Sequence, residues 1–358
     1  MFSNLTKDTV SNSILFEVEG VHISILSGLR RILTSDIPIV GFLGNSDENS
    51  IEITDNTTVL TNEQIKERIS MIPINIEDNY NENFLSNESS IEIELDIKSS
   101  KDDNLRHITT DDLIVKFDGK DVKPNKIFHY DKISNRPIVI TKIRKSESLH
   151  LKANAVKETP RTNASFCIIS GFKLHPLFNP DTKETDILAQ QRDTVKGVHV
   201  FGFEIINHTI THLYLMNKGI DIFIQKLNNI MLDLQSYDSK IKMEKYNEKV
   251  ENCYDFNILN ENDTIGFAIQ AYIVQNYCQT KKKINTDNNI CTFAGYVKKH
   301  PLQDVLTIRI TIDDIDDINV FKTFLANICN EIAVNILSPM KDKFNRFMTK
   351  EVKPSKKK

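Results

Sequence analysis

This 358-residue chain has no tryptophan, and its five cysteines, at 167, 253, 278, 291 and 329, include no C-x-x-C pair. Zinc knuckles and ribbons built on that spacing are excluded. An odd, scattered set of thiols fits a reducing compartment. Neither G-x-G-x-x-G nor G-x-x-x-x-G-K-[ST] occurs, so neither common phosphate cradle is present, and no G-x-S-x-G elbow offers a serine nucleophile. No run of about 18 apolar residues marks a transmembrane helix. The polar start, MFSNLTKDTVSN, lacks a signal-peptide pattern. Charge of one sign is not in excess: 45 Lys plus Arg against 49 Asp plus Glu leave −4. That balance excludes a generic polyanion-coating protein, though not a local basic patch.

What is present is ordinary for a chain with real cores, 40% apolar and 26% charged. At about 150 residues per domain the length implies two to three domains. The apolar period switches between helical and strand-like, so α and β elements are mixed. Val21, Ile25, Leu29 and Ile32 predict a helix over 21–35, ended by Pro38. Ile220, Ile224, Leu227, Met231 and Leu234 predict a second over 217–235 with a near-heptad seam. A third, over 264–277, carries Ile265, Ile269, Tyr272 and Ile273 behind an Asp263 or Thr264 cap. A long fourth carries Ile318, Phe321, Leu325, Ile328, Ile332 and Ile336. Strands are predicted where Ile91, Ile93, Leu95 and Ile97 alternate with acids, and again at Leu306, Ile308, Ile310 and Ile312. Residues 77–90 read as a surface loop and 236–252 as a charged linker.

Few groups offer chemistry. Asp313, Asp314, Asp316 and Asp317 precede the fourth helix, where carboxylates cap more readily than they bind metal. His208 and His212 have zinc-like i, i+4 spacing, but their surroundings read as strand and no third ligand is near. Residues 341–358 hold eight Lys or Arg and two acids, a local +6. This is either a solvated end or a tail that touches phosphates.

Three stretches are more specific. They are Leu29-Arg30-Arg31-Ile32-Leu33 with Asp36-Ile37-Pro38; Asp55-Asn56-Thr57-Thr58-Val59-Leu60 with Glu63, Arg68, Ile69 and Met71-Ile72-Pro73-Ile74; and Asp263-Thr264-Ile265-Gly266 with Phe293-Ala294-Gly295-Tyr296 and His300-Pro301-Leu302. The first two resemble the start of the assembly subunits of multisubunit RNA polymerases: bacterial alpha, archaeal D and the third subunit of polymerase II. The last resembles the small partner, archaeal L or the eleventh subunit. Both partners in one chain is similar to the tandem fusions of nucleocytoplasmic large DNA viruses.

The resemblance implies an α+β fold of two alpha-subunit-like dimerisation modules paired as an intramolecular pseudo-heterodimer. Residues 1–50 plus 166–240 form the larger partner's module, and 51–165 an inserted β-rich domain. Residues 241–253 form a linker, 254–348 the smaller partner's module and 349–358 a basic tail. Internal pairing falls to Ile25, Leu29, Ile224, Leu227, Met231, Ile265, Ile269, Tyr272, Phe321, Leu325, Ile328 and Ile332.

The resemblance also implies a non-catalytic assembly platform without catalytic residues, cofactor or metal of its own. No cysteine stands near 77–90, where some relatives hold a cluster. Its partners are the second-largest subunit, the largest, which carries the catalytic magnesium, and a small tenth-subunit-like zinc protein. Nucleic acid is reached only through the complex, and no membrane is involved. Docking falls to Arg30, Arg31, Asn56, Thr57, Thr58, Leu60, Glu63 and Arg68. Phe267 stands where the small partner usually has Asn. A viral source implies the host cytoplasm and the virion. The other class open to the chain is a stand-alone nucleic-acid-binding protein using its basic tail.

Overall fold

A computed structural model describes residues 1–44, 50–84, 90–100, 105–130, 136–178, 194–206, 209–236, 240–247, 250–284, 289–300 and 303–351. The chain begins with an antiparallel hairpin, β1 (Phe2–Asp8) and β2 (Ser13–Glu19), then α1 (Ile23–Ser35). His22 caps α1, its Nδ1 accepting from the Ser24 N–H at 3.2 Å, and the Asp36 N–H closes the end on the Ile32 carbonyl at 2.9 Å. Ile25, Leu26, Leu29, Ile32 and Leu33 are buried along one side.

The chain then builds a separate β-rich body. Its elements are β3 (Ile39–Gly41), β4 (Ile51–Asn56), α2 (Asn62–Ser70), α3 (Asp78–Asn83), β5 (Ile91–Lys98), β6 (Arg106–Thr109), β7 (Ile114–Phe117), β8 (Lys120–Val122), α4 (Pro124–Ile127), β9 (Val139–Ile143), β10 (Ser148–Asn154) and β11 (Val156–Glu158). Five strands form a sheet in the order β4-β10-β5-β7-β8, with β6-β9 and β3-β11 as pairs. Ile91, Ile93 and Leu95 face inward while Glu92 and Asp96 are exposed, as period-2 alternation requires. The change of core falls at Ile39, which packs in the first, and Val40, which packs in the second, earlier than residue 50.

Next, β12 (Ile169–Phe178) and β13 (Thr194–Ile205) complete a sheet ordered β1-β2-β13-β12, and α5 (His212–Gln235) follows. Then β14 (Lys242–Asn247), β15 (Val250–Leu259), α6 (Asp263–Ile273), β16 (Cys291–Val297), β17 (Val305–Ile312) and α7 (Ile318–Glu331) repeat the plan, in a sheet ordered β14-β15-β17-β16. Outside the β-rich body both halves therefore run β-β-α-β-β-α, with the fourth strand beside the second. A π turn (Ile332–Leu337) continues α7 into α8 (Ser338–Glu351).

One apolar core joins both sheets and their helices. Helix α1 lies against α5 and α6, and α5 against α7 and α8. They come close at Gly28, where a Cβ would stand 3.0 Å from the Phe223 ring and 3.4 Å from Thr264 Cγ2. Phe2 and Phe16 of the first sheet pack on Phe344 of α8, each with ring centroids 5.4 Å apart.

Several expectations are corrected. Residues 78–83 are helix α3, because Asn81 is fully buried as a hydrogen-bonding hub rather than a loop side chain. The 241–253 linker is instead β14 and the start of β15. Strand β14 is a solvent-facing edge held by its backbone ladder, so it needs little apolar weight. His212 is the first residue of α5, capped by Thr211, not part of a strand; His208 lies outside the described residues. Asn262, rather than Asp263 or Thr264, caps α6, its side chain accepting from the Thr264 N–H.

The end of the chain also departs from expectation. The helix runs through 349–351, and 352–358 lie outside the described residues, as do Pro301 and Leu302. Ile318–Thr349 is long and apolar enough to cross a membrane by composition. Its Phe321, Leu325, Ile328, Ile332, Leu337, Met340 and Phe344 are instead buried in the shared core.

Candidate subunit-docking surface

The buried side of α1 leaves Arg30 half-buried and Arg31 exposed. Neither guanidinium makes a hydrogen bond or salt bridge with a described residue, whereas Arg161 and Arg309 are clamped by Asp36 and Asp255. Arg31 belongs to the first half but acts on Tyr296 of β16 in the second. Burial pushes the Tyr296 hydroxyl up, Asp263 adds to this, and Arg31 opposes it. Gly266 lets Tyr296 pack on α6: a Cβ there would meet Tyr296 Cδ2 at 2.7 Å and Leu306 Cδ1 at 2.8 Å. Phe267, 37% exposed, stands beside the Tyr296 ring at 6.4 Å. Motif residues far apart in the chain thus meet on one face.

The second motif is a built turn on the β-rich body. Asn56 Nδ2 donates to the Leu60 carbonyl at 2.9 Å, and its Oδ1 accepts from the Thr58 N–H at 3.0 Å and hydroxyl at 2.8 Å. Thr57 is bound to Ser148 of β10, accepting its N–H at 2.6 Å. Leu60 is half-buried on the second core. Thr61 and Gln64 close a capping box on α2. Glu63, exposed in that helix's first turn, is held below the usual carboxylate range by its own backbone N–H and the Thr61 hydroxyl. Arg68 is exposed in the last turn. Asn56 and Thr58 therefore shape the loop, and what it presents outward is Val59, 64% exposed, with Met71, 69% exposed, after α2. Neither stands out in the sequence, since exposure of an apolar side chain has no local signature. No hydrogen bond or ion pair among the described residues joins this motif to Arg30 or Arg31.

Two polar clusters hold the bodies together. Asp36 accepts from Arg161 Nε at 2.6 Å and lies 3.7 Å from Lys226 Nζ, which reaches Glu261 at 3.3 Å. This chain of charges links α1, α5 and the turn before α6. In the other cluster, Asn81 accepts from the Val40 N–H at 3.0 Å and donates to the Tyr214 hydroxyl at 3.0 Å. Glu82 takes Lys218 and Tyr214, and Asp78 takes the Thr211 N–H at 2.9 Å. Helix α3 thereby latches onto the start of α5.

Burial holds Glu261 above the ordinary carboxylate range, against the pull of Lys226 and Arg161. The folded chain therefore keeps a proton that the unfolded chain releases, and stability falls as pH rises from about 4.5 through the folded value. Glu261→Gln cannot ionise. The unfolding free energy of wild type minus variant is expected to drop across that window and stay level on either side, as urea melts at stepped pH will show. A difference independent of pH would refute this assignment.

Of the expected pairing residues, Ile25, Leu29, Leu227, Ile265, Ile269, Phe321, Leu325, Ile328 and Ile332 are buried in the shared core. Ile224, Met231 and Tyr272 are only partly buried at its margin. Phe223, Ile230 and Gly219 take inner positions that the i, i+4 seam did not include. Among the described residues no three His, Cys, Asp or Glu side chains converge as a metal site. His212 is half-buried, bonds the Asn12 carbonyl at 3.0 Å, and has its pKa lowered by desolvation to about 4. Asp317 caps α7, and Asp316 takes Lys245 and Tyr254.

No protein-family model matches the chain. It is 23% identical over 193 residues to the DNA-directed RNA polymerase II subunit rpb3 of Dictyostelium discoideum, covering 51% of this chain and 61% of that one. Over 191 residues it is 24% identical to the same organism's DNA-directed RNA polymerases I and III subunit rpac1, covering 48% and 52%. These matches support an RNA polymerase alpha-like subunit family. A conjugation stage-specific protein of Tetrahymena thermophila is 27% identical over 215 residues, covering 55% and 67%. The chain spans about half to two thirds of the length of the curated relatives it matches. The face around Arg31, Phe267 and Tyr296 draws on both halves, and the Val59 turn projects from the β-rich body.

Proposed function

We propose that the chain is the assembly platform of a multisubunit DNA-directed RNA polymerase, with the larger and smaller alpha-like partners fused in one polypeptide. The observation that carries this is the repeated β-β-α-β-β-α plan, with matching strand orders, around one core. In this reading the two halves are an intramolecular pseudo-heterodimer related by near-two-fold contacts, α1 against α6 and α5 against α7. The β3–β11 body is an insertion between α1 and β12. The chain performs no chemistry itself. It docks the second-largest subunit and then the largest, which holds the catalytic magnesium, and it accepts a small zinc subunit. The unengaged Arg30 and Arg31 support a charge-assisted clamp on partner carboxylates or carbonyls. The proposal extends to a viral source, with the protein in the host cytoplasm and packaged in the virion; the tandem arrangement supports it.

The test is a native pull-down of the tagged chain, with partners identified by mass spectrometry and the eluate assayed for template-dependent RNA synthesis. Two very large chains with activity are expected. Deleting residues 349–358 is expected to leave that capture within about twofold of wild type, since Phe344, Met348 and the Lys341–Asp221 pair remain. A chain that brings down only DNA, and loses it on that deletion, would replace the assembly role with the tail-binding one.

A further inference from the structure

We propose that Cys278 and Cys291 form an oxidisable dithiol that a small-molecule disulfide converts into an internal disulfide. Their sulfurs are 3.7 Å apart. That is van der Waals contact, and a disulfide bond needs about 2.05 Å. Both residues are held by regular structure. Cys278 ends the π turn (Val274–Cys278) that prolongs α6, and Cys291 opens β16, against which that turn packs. The chain between them doubles back, with a bridge from Lys283 to Ile290 and the Ile284 N–H donating to the Asn289 carbonyl at 2.9 Å. Cys253 lies on β15, Cys329 on α7 and Cys167 in the segment before β12, and none of their sulfurs contacts another sulfur.

The accessibility of the two sulfurs sets the order of events. Cys278 is half-buried and Cys291 buried, so an incoming reagent reaches Cys278 first. The Cys278 thiolate attacks the reagent's disulfide, forming a mixed disulfide and expelling one thiolate. The Cys291 thiolate then attacks the Cys278 sulfur and expels the second. The two protons from the protein thiols end on the departing thiolates, and two electrons pass from protein to reagent. One small disulfide is consumed, and two small thiols are released. Burial pushes both protein thiols up, so the reaction is slow at neutral pH and quickens as pH rises. The product staples the end of α6 to the start of β16, the strand that carries Tyr296.

The full-length folded protein is treated with oxidised glutathione at about pH 8.5, near the ordinary thiol pKa. It is then quenched with acid, alkylated in denaturant and mapped by mass spectrometry. Free thiols are expected to fall from five to three, with one cross-linked peptide joining Cys278 to Cys291. Cys291→Ser is expected to stop at a glutathione adduct on Cys278. Retention of all five thiols by wild type, glutathione adducts without an internal bond, or a bond to any other cysteine would each overturn the proposal. The wild-type result decides even if the variant fails to fold.

Discussion

Replacing Arg30 and Arg31 together with alanine is expected to cut capture of the large subunits at least tenfold, with the thermal midpoint within about 2 °C of wild type. The two effects separate because neither guanidinium is hydrogen-bonded or ion-paired among the described residues, so their removal breaks no bond there. Surface substitutions of that kind usually stay within about 0.5 kcal/mol. A charge-assisted hydrogen bond to a partner contributes roughly 1.5–3 kcal/mol, so the loss of even one is about tenfold in affinity. Co-purification of the large chains from cells expressing the double variant, scaled to bait, measures the first effect, and differential scanning fluorimetry the second. Wild-type capture with wild-type stability would mean that both side chains are merely solvated. Phe267→Ala, made in parallel, asks whether the second half contributes to the same face.

Phe223→Ala is expected to destabilise the chain by roughly 3–5 kcal/mol, the range for emptying a buried aromatic site. Its ring fills the space over Gly28, beside Thr264, where α1, α5 and α6 meet. The cavity would open in the first half where it borders Thr264 of the second. Both halves are therefore expected to lose stability in a single step. Urea unfolding followed by far-ultraviolet circular dichroism and by a fluorophore on the second half should give coincident midpoints, shifted together. Midpoints that part, with only one half affected, would show that each half holds its own core.

These expectations rest on features of different legibility. The four helices were readable because an apolar spacing of three and four residues is a local property that survives any tertiary context. Phe223 was not, because the near-heptad seam through Ile220, Ile224 and Leu227 describes a two-helix contact. Helix α5 is instead surrounded by α1, α7 and α8, so its buried sector is wider. Helix α3 read as loop because its six residues, DNYNEN, are polar throughout. It is ordered by hydrogen bonds from Asn81, Glu82 and Asp78 to residues 41 to 136 positions away. Strand β14 read as linker for the related reason that an edge strand is held by its backbone, to which composition is blind.

The sequence by itself determined that the chain is a mixed α/β protein without a phosphate cradle or zinc knuckle. It also determined where four amphipathic helices lie. Tertiary structure alone decided that the helices share one core and that the charge of Arg31 bears on Tyr296. It alone assembled the charges from Asp36 to Glu261 and brought Cys278 within contact of Cys291. The reason is physical. Helix and strand patterns are written in neighbouring residues, whereas these contacts depend on which distant segments meet, and that is settled only when the two sheets close over the four helices.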